Sequence, residues 1–144
     1  MTQEQKDLLL KDLCARLPYG VKVKFGDSKP AILTVIEHDE FGWRIGSEDE
    51  FGGMITFIDN VKPYLFPLSS MTDELWDKAF MGCGITEFTR DSFKYGCETL
   101  EFNNSNPNLL SMVRFIKQLI KNHFDIYGLI PKGLAIDATG KNIY

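Results

Sequence analysis

The feature that most constrains the fold is a run of short alternating segments between residues 21 and 65, bracketed by two similar phrases. The phrases are LPYGVKV (17–23) and VKPYLFP (61–67), and each places a proline and a tyrosine beside an apolar segment. Between them, apolar and polar residues alternate, and turn-forming residues interrupt the alternation at short intervals. Alternation with a period of two, broken by turns, is typical of half-buried antiparallel strands. The chain is therefore expected to build a small, strongly curved sheet.

The alternation predicts four or five short strands. They lie near 21–25, 31–36, 41–45, 54–58 and 61–65. The segment 31–36 is more uniformly apolar than the others, which favours a central place in the sheet. So many strands in about 45 residues favour a small SH3-like antiparallel β-barrel, with a plain meander packed on a helix as the alternative. An orthogonal barrel would bring six side chains into one core: Val23, Leu33, Val35, Trp43, Ile55 and Phe57.

A helix is predicted ahead of the strands, over residues 2–16. Thr2 and Gln5 have the spacing of a capping box, and Pro18 with Gly20 gives a stop signal. The predicted buried residues recur at helical spacing and are Leu9, Leu10, Leu13 and Leu17. The other faces of the helix carry Lys6, Asp7, Lys11 and Asp12.

Two further helices are predicted after the strands. Thr72 is the natural N-cap of the first, whose expected buried stripe is Leu75, Trp76, Ala79 and Phe80. Asn106 followed by Pro107 begins the second. Its expected apolar face is Leu109, Met112, Val113, Ile116, Leu119 and Ile120. The segment 129–138 is apolar enough to dock on the core, and 139–144 is expected to fray.

These elements place the chain in the α+β class. The predicted architecture is a small SH3-like or meander antiparallel β-barrel, preceded by an N-terminal helix and followed by two helices. Two regions are expected: residues 1–68 hold the N-terminal helix and the barrel, and residues 69–144 form a helical part packed on it. A single domain is the alternative.

Composition and charge narrow the functional classes. The chain has 44% apolar and 25% charged residues, values typical of a globular protein. A net charge of −4 argues against bulk binding to nucleic acid or anionic membranes, because both need a positive field. Three widely spaced cysteines, a polar N-terminus and the absence of an apolar run near ~20 residues favour a cytoplasmic protein without a membrane partner.

No residue pattern points to catalysis, a metal or a cofactor. The acidic loop around residues 48–50 lacks the ligand order of a calcium loop and is interpreted as solvated. Cys83 or Cys97 with His123 would need an adjacent base and an orienting group to act as a nucleophile pair. Their spacing does not indicate proximity, and buried, inert thiols are the simpler interpretation. The protein is therefore not expected to be an enzyme.

Two sets of side chains are the candidate binding residues. Aromatic rings near strand ends bind peptides or bases in many small barrels. Cations that recur at helical spacing share one helix face, which can contact phosphates or an acidic surface. The aromatic set is Tyr19, Trp43 and Tyr64, and the basic set is Arg114, Lys117 and Lys121. Tyr19 and Tyr64 are the expected exposed pair. Rings that fill the core and a solvated helix face are the alternatives.

Three parts of the chain carry a family resemblance. They are QKDLLLKDLCARLPYGV (5–21), VKPYL (61–65) with PLSSM (67–71), and NHFD (122–125) with GLIPKGLA (128–135). In these segments the chain resembles a family of short uncharacterised proteins from gut Bacteroides-type bacteria, often encoded in prophages and other mobile elements. The resemblance implies an accessory protein of a phage or mobile element that acts in a bacterial cytoplasm. It implies no functional residue.

The sequence therefore favours a non-catalytic interaction protein, an accessory factor of a prophage or mobile element with an unknown target. A protein partner is expected, and the basic helix face gives nucleic acid or a nucleotide as further ligands. The alternative is a counter-defence protein that sequesters a nucleotide signal, with Arg114, Lys117, Lys121 and Tyr64 holding the phosphates and base. A second alternative is an enzyme of unknown type.

Overall fold

The computed structural model describes residues 1–48, 53–80 and 109–144, and the chain divides into two compact units. The first unit consists of Met1–Leu65 and Tyr127–Tyr144, and the second of Phe66–Ile126. The expected division after residue 68 therefore differs at the far end of the chain. Residues 127–144 belong with the N-terminal part.

The first unit contains an open sheet of six strands. The strands are β1 (Lys22–Phe25), β2 (Ala31–Asp39), β3 (Gly42–Glu48), β4 (Met54–Phe57), β5 (Val61–Leu65) and β6 (Ile136–Asp137). Their order is β4-β3-β2-β1-β5-β6, and only β5 and β6 are parallel. The α+β class is confirmed. Within the described residues the sheet does not close into a barrel, because β6 rather than β4 covers the far edge of β5.

Helix α1 (Gln3–Arg16) begins and ends as the sequence predicts. The main-chain N–H of Gln5 donates to Thr2 Oγ1 over 3.3 Å, and Thr2 N–H donates to Gln5 Oε1 over 2.9 Å. This reciprocal capping box pairs two amides at a helix start. A 3₁₀ turn over Leu17–Tyr19 follows, and Gly20 then takes a left-handed conformation with φ of 66°. Glycine adopts that conformation without steric cost, so the chain leaves the helix there.

One apolar core joins α1, the inner face of the sheet and the tail. Its buried members are Leu9, Leu13, Val21, Val23, Phe25, Leu33, Ile45, Ile58, Val61, Leu65, Leu129, Leu134 and Ala135. The inner face is the side of the sheet that carries the strand residues of this core, and the outer face is the opposite side. The predicted docking of residues 129–138 on the core is confirmed by Leu129, Leu134 and Ala135.

Three of the six residues predicted for the barrel core are exposed instead: Val35, Ile55 and Phe57. The register of β2 against β3 shifts between Leu33 and Val35. Such a bulge adds one residue, so the alternation changes face and Val35 points outward while Leu33 points inward. Gly46 of β3 lies opposite both Val35 of β2 and Ile55 of β4. Ile55, and Phe57 two residues later, therefore lie on the same outer face of the sheet as Val35.

Helix α1 buries an ion pair between Asp12 and Arg16, although the sequence pattern placed Asp12 on another face. Arg16 Nε donates to Asp12 Oδ2 and Arg16 Nη2 donates to Asp12 Oδ1, both over 2.8 Å. Both residues are fully buried. The prediction that Asp12 lies away from the core is wrong. In a bidentate guanidinium–carboxylate pair each group supplies the other with hydrogen bonds and a counter-charge, so both charges can be buried in the core.

Tyr144 holds the tail against the sheet. Gly26 N–H donates to the Asn60 carbonyl across β1 and β5. In an antiparallel ladder every second pair of opposite residues is hydrogen-bonded. Counting from Gly26 and Asn60, the second such pair along the ladder is Lys22 with Tyr64. At that pair the Tyr144 hydroxyl accepts from Lys22 N–H over 3.2 Å and donates to the Tyr64 carbonyl over 2.7 Å. The expectation that residues 139–144 fray is therefore wrong.

The Tyr144 hydroxyl makes a first prediction. Tyr144→Phe is expected to lower the free energy of unfolding by about 1–3 kcal/mol, because two main-chain groups of the ladder lose a partner. Burial raises the pKa of Tyr144 from 10.0 to about 12. The folded state thus favours the neutral hydroxyl, so this stabilisation is complete below pH 10 and is lost as pH rises through about 12.

Urea unfolding below pH 10 and near pH 12 measures the stability that the Tyr144 hydroxyl contributes and the dependence of that contribution on pH. The wild-type protein should lose more stability at high pH than Tyr144→Phe does, because the other tyrosines are common to both proteins. Equal losses in the two proteins would show that the hydroxyl of Tyr144 is not held in the ladder.

The second unit is described over 66–80 and 109–126. It contains helices α2 (Asp73–Phe80) and α3 (Leu109–Lys121). Thr72 Oγ1 accepts from Leu75 N–H over 3.3 Å, which confirms the predicted N-cap. The buried cluster is Met71, Trp76, Phe115, Leu119 and Phe124, with Trp76 stacked on Phe115 at 5.4 Å between ring centroids.

The predicted buried stripes of these two helices are confirmed only in part. Trp76 and Leu119 are buried, whereas Leu75, Val113 and Ile116 are exposed. Phe115, which the predicted face of α3 did not include, is buried. The proposed start at residues 106–107 lies outside the described residues.

Candidate binding face of the sheet

The outer face of strands β2, β3 and β4 carries apolar side chains in register. Val35, Gly46 and Ile55 form one row across the three strands, and Glu37, Arg44 and Phe57 form the next. The exposed fractions are 46% for Ile32, 37% for Val35, 50% for Ile55 and 43% for Phe57. These four residues are called the apolar patch. Antiparallel sheets with one solvated face normally place polar residues there, so the patch departs from the usual pattern.

Gly46 makes the patch continuous across β3. A Cβ atom at this position would lie 3.2 Å from Ile55 Cγ1 and 3.3 Å from Val35 Cβ. Those distances are tighter than ordinary van der Waals contact. The absence of a side chain lets Val35 and Ile55 approach each other over the middle strand, as glycines within strands often do where other groups come close.

Arg44 borders the patch with a positive charge. Its Nη1 donates to Asp39 Oδ2 over 3.0 Å, and its guanidinium carbon lies 5.9 Å from the centroid of the Phe57 ring. A cation at this distance from an aromatic ring is attracted by the ring quadrupole. The patch thus has an apolar centre with an arginine at its edge, which is the composition that protein interfaces favour.

The outer face of β1 and β5 is basic rather than apolar. Lys22 and Lys24 alternate with core residues along β1, and Lys62 faces Lys24 directly across the strand pair. The Cβ atoms of residues opposite each other lie about 5 Å apart, so the two amines share one surface. Lys22 Nζ donates to the carbonyl of Ile143 in the tail over 2.6 Å.

A cavity lies beside the opposed lysines. It has a volume of about 400 Å³ and is lined by Lys24, Gly26, Asp59, Asn60, Lys62 and Ile136. Asp59 supplies a carboxylate, and that carboxylate lies 2.6 Å from Lys6 Nζ of helix α1. Asn60 Nδ2 donates to Thr56 Oγ1 over 3.3 Å.

The predicted aromatic binding residues have different environments. Tyr19 is exposed in the turn after α1. Trp43 is half-buried, packs on the core and meets His38 edge-on at 4.8 Å between ring centroids. Tyr64 is only 7% exposed, so the expected exposed pair with Tyr19 is wrong. Its main chain pairs with Ile136 of β6, and its carbonyl accepts from the Tyr144 hydroxyl.

The predicted basic residues lie together on α3. Arg114, Lys117 and Lys121 are all exposed, as their helical spacing suggests. Val113 and Ile116, which the sequence assigned to the buried face, are exposed on the same helix. The second unit therefore presents a helix surface of mixed apolar and basic character.

Sequence reasoning missed the apolar patch and the lysines at the cavity. Both had a visible signal. Gly46 interrupts an otherwise strand-like segment, which marks a close approach of neighbouring groups. Lys22 and Lys24 occupy the polar positions of β1, and Lys62 occupies that of β5. The sequence pattern does not reveal the register of β1 against β5, and that register sets Lys24 opposite Lys62.

Most of the residues considered for chemistry are not in the described part of the chain. Residues 49 and 50 of the acidic loop, Cys83 and Cys97 lie outside it. Among residues 1–48, 53–80 and 109–144, no three His, Cys, Asp or Glu side chains are placed to hold a metal ion. Burial raises the pKa of the Cys14 thiol, the opposite of what activates a nucleophile.

No protein-family model, curated protein or solved structure matches the chain. No helix described here is long and apolar enough to cross a membrane.

Proposed function

We propose that the protein is a non-catalytic binding protein whose apolar patch on the outer sheet face takes a protein partner. The single observation that carries this proposal is the exposure of Ile32, Val35, Ile55 and Phe57 on one side of the sheet. Contiguous exposed apolar surface of this kind marks interaction sites in soluble proteins.

The surroundings of the patch support a protein rather than a nucleic acid as the partner. The centre of the patch carries no charge, because the apolar Val35 and Ile55 flank Gly46, which has no side chain. Arg44 and Glu37 lie at its edge in the adjacent row. An apolar centre with an arginine and other polar groups at the rim resembles the anatomy of a protein interface. A nucleic-acid surface would need cations at the centre.

The SH3-like interpretation belongs to this proposal. Strands β1 to β5 are antiparallel neighbours in the order β4-β3-β2-β1-β5, and the 3₁₀ turn Ile58–Asn60 leads into β5. This order supports a small barrel-type sheet opened at one side, with β6 added along β5. The role as an accessory factor of a prophage or mobile element, and the cytoplasmic location, rest on the sequence resemblance and composition described above.

Capture from a lysate tests the patch when single charges are introduced into it. Ile55→Glu and Phe57→Glu should each weaken retention of the partner by about tenfold or more, because each variant leaves a carboxylate unpaired in an apolar contact. Lysate of a Bacteroides-type bacterium is the source, and quantitative mass spectrometry measures each retained protein.

Leu75→Glu is the matched control, since Leu75 is an exposed apolar residue of the second unit. It should retain the same partner as the wild-type protein, and all three variants should keep similar melting temperatures. Equal retention by Ile55→Glu, Phe57→Glu and Leu75→Glu would contradict the proposal. A wild-type protein that retains no other protein in a saturable way would also contradict it.

A further inference from the structure

We propose that the cavity between β1, β5 and β6 binds the phosphate group of a small phosphorylated ligand. Its lining residues differ from the apolar patch, so this inference goes beyond the proposed protein partner. The geometry that points to it is the pairing of Lys24 and Lys62 at the cavity wall.

The two lysines oppose each other without a compensating carboxylate. Like charges placed directly opposite in a sheet are destabilising, so a pair of this kind needs a reason. Among the described residues, no carboxylate lies within ion-pairing distance of either amine. A dianionic phosphate between the two amines would remove the repulsion and would accept hydrogen bonds from both.

The carboxylate that lines the cavity does not cancel these charges. Asp59 lies 2.6 Å from Lys6 Nζ, so a helix lysine already balances it. With Lys24, Lys62 and Lys6 against Asp59, the cavity and its immediate border carry a net positive charge on a protein with a net charge of −4. A local positive field of this kind attracts small anions.

Two neutral side chains complete the site. Asn60 uses one amide hydrogen on Thr56 Oγ1, and its amide group carries a second that is available as a donor. Ile136 gives the cavity one apolar wall. Cations, a donor and one apolar side chain in the same lining suit a phosphate attached to a small organic group.

The size of the cavity and the charge of the whole chain favour a small ligand. A volume of about 400 Å³ is within the range of small-molecule sites. A long polyanion would meet the acidic remainder of the surface, which the net charge of −4 makes repulsive. The ligand class is therefore a phosphorylated metabolite or mononucleotide rather than RNA or DNA.

Inorganic pyrophosphate is the probe for the test, with binding measured by calorimetry at constant ionic strength and by amide NMR shifts. The wild-type protein should bind it, with the largest shifts at residues 24, 60 and 62. The double variant Lys24→Gln/Lys62→Gln should bind it at least about tenfold more weakly. Lys29→Gln, in the exposed β1–β2 turn, should bind it like the wild type.

Several outcomes would overturn the proposal. These are no pyrophosphate binding by the wild-type protein, an equal loss of affinity in Lys29→Gln, or unchanged affinity in the double variant. Acetate at the same concentration should not bind, and tighter binding of a single-stranded oligonucleotide than of pyrophosphate would contradict a small ligand.

The free double variant provides the folding control. It should melt at the same or a higher temperature than the wild type, because the repulsion between the two amines is removed. Pyrophosphate should raise the melting temperature of the wild type and leave that of the double variant unchanged. Ile55→Glu should bind pyrophosphate normally, which separates this site from the apolar patch.

Discussion

Asp12→Ala is expected to lower the free energy of unfolding of the first unit by about 3–5 kcal/mol, the cost of leaving one member of a buried ion pair without its partner. Asp12 and Arg16 are fully buried and joined by two hydrogen bonds of 2.8 Å. Removing the carboxylate leaves the Arg16 guanidinium in the core, where it loses both water and its counter-charge. Denaturation by urea, followed by circular dichroism, measures the loss.

A double variant separates the charge effect from the packing effect. Asp12→Leu/Arg16→Met removes both charges and keeps much of the apolar volume, so it is expected to be more stable than Asp12→Ala or Arg16→Ala. Replacement of a buried pair by apolar residues is often neutral or stabilising, whereas removal of one partner is not. A double variant no more stable than the single variants would contradict a buried, mutually compensating pair.

Leu129→Ala is the second variant with a large expected effect, about 2–5 kcal/mol, because it removes a fully buried leucine and leaves a cavity. Leu129 belongs to the tail, yet it lies in the core cluster that α1 and the sheet share. The variant therefore tests whether residues 127–144 are an integral part of the first unit.

The two tryptophans make this test specific for each unit. Trp43 lies in the first unit and Trp76 in the second. In a Trp76→Phe background the fluorescence of Trp43 reports unfolding of the first unit, and Leu129→Ala should shift that transition. Ile32→Ala, at an exposed position of the same sheet, should cost less than about 1 kcal/mol. A Trp43 transition unaffected by Leu129→Ala would show that the tail does not contribute to this core.

Local sequence signals predicted the elements of the first unit well. The Thr2 capping box, the glycine stop at Gly20 and the strand alternation act through neighbouring residues, so the sequence pattern carries them directly. The central position of β2 is also confirmed. The apolar content of residues 129–138 alone predicts that this segment docks on the core.

The face on which residues lie was harder to predict than the strands themselves. The bulge between Leu33 and Val35 changes the alternation, and nothing in the local composition marks the extra residue. The buried Asp12 depends on Arg16 one helical turn later, a pair that resembles an exposed i,i+4 salt bridge in sequence. Tyr144 depends on a gap in the β1–β5 ladder, which is a tertiary feature.

The candidate sites depend on register in the same way. Lys24 and Lys62 are distant in the chain, and only the pairing of β1 with β5 sets them opposite each other. The apolar patch exists because Gly46 lies between Val35 and Ile55 on three paired strands. The aromatic residues chosen from sequence illustrate the limit. Proximity to a proline at a strand end did not indicate that Tyr64 is buried.

The two candidate sites divide one face of one sheet. Strands β2 to β4 present the apolar patch, and strands β1 and β5 present the lysines and the cavity. Because the core lies on the inner face, charge changes on the outer face are expected to alter binding with little effect on folding. Stability variants and binding variants can therefore be chosen independently in this protein.

Site-specific photo-crosslinking tests the central claim, that the apolar patch is the surface on which a protein partner binds. A photoreactive phenylalanine analogue would replace Phe57 in one protein and Lys29 in another, and both would be irradiated in the same lysate. We expect the probe at position 57 to form a discrete covalent adduct with one protein, and the probe at position 29 to form none. Adducts of the same protein at equal yield from both positions, or no discrete adduct from position 57, would contradict the claim.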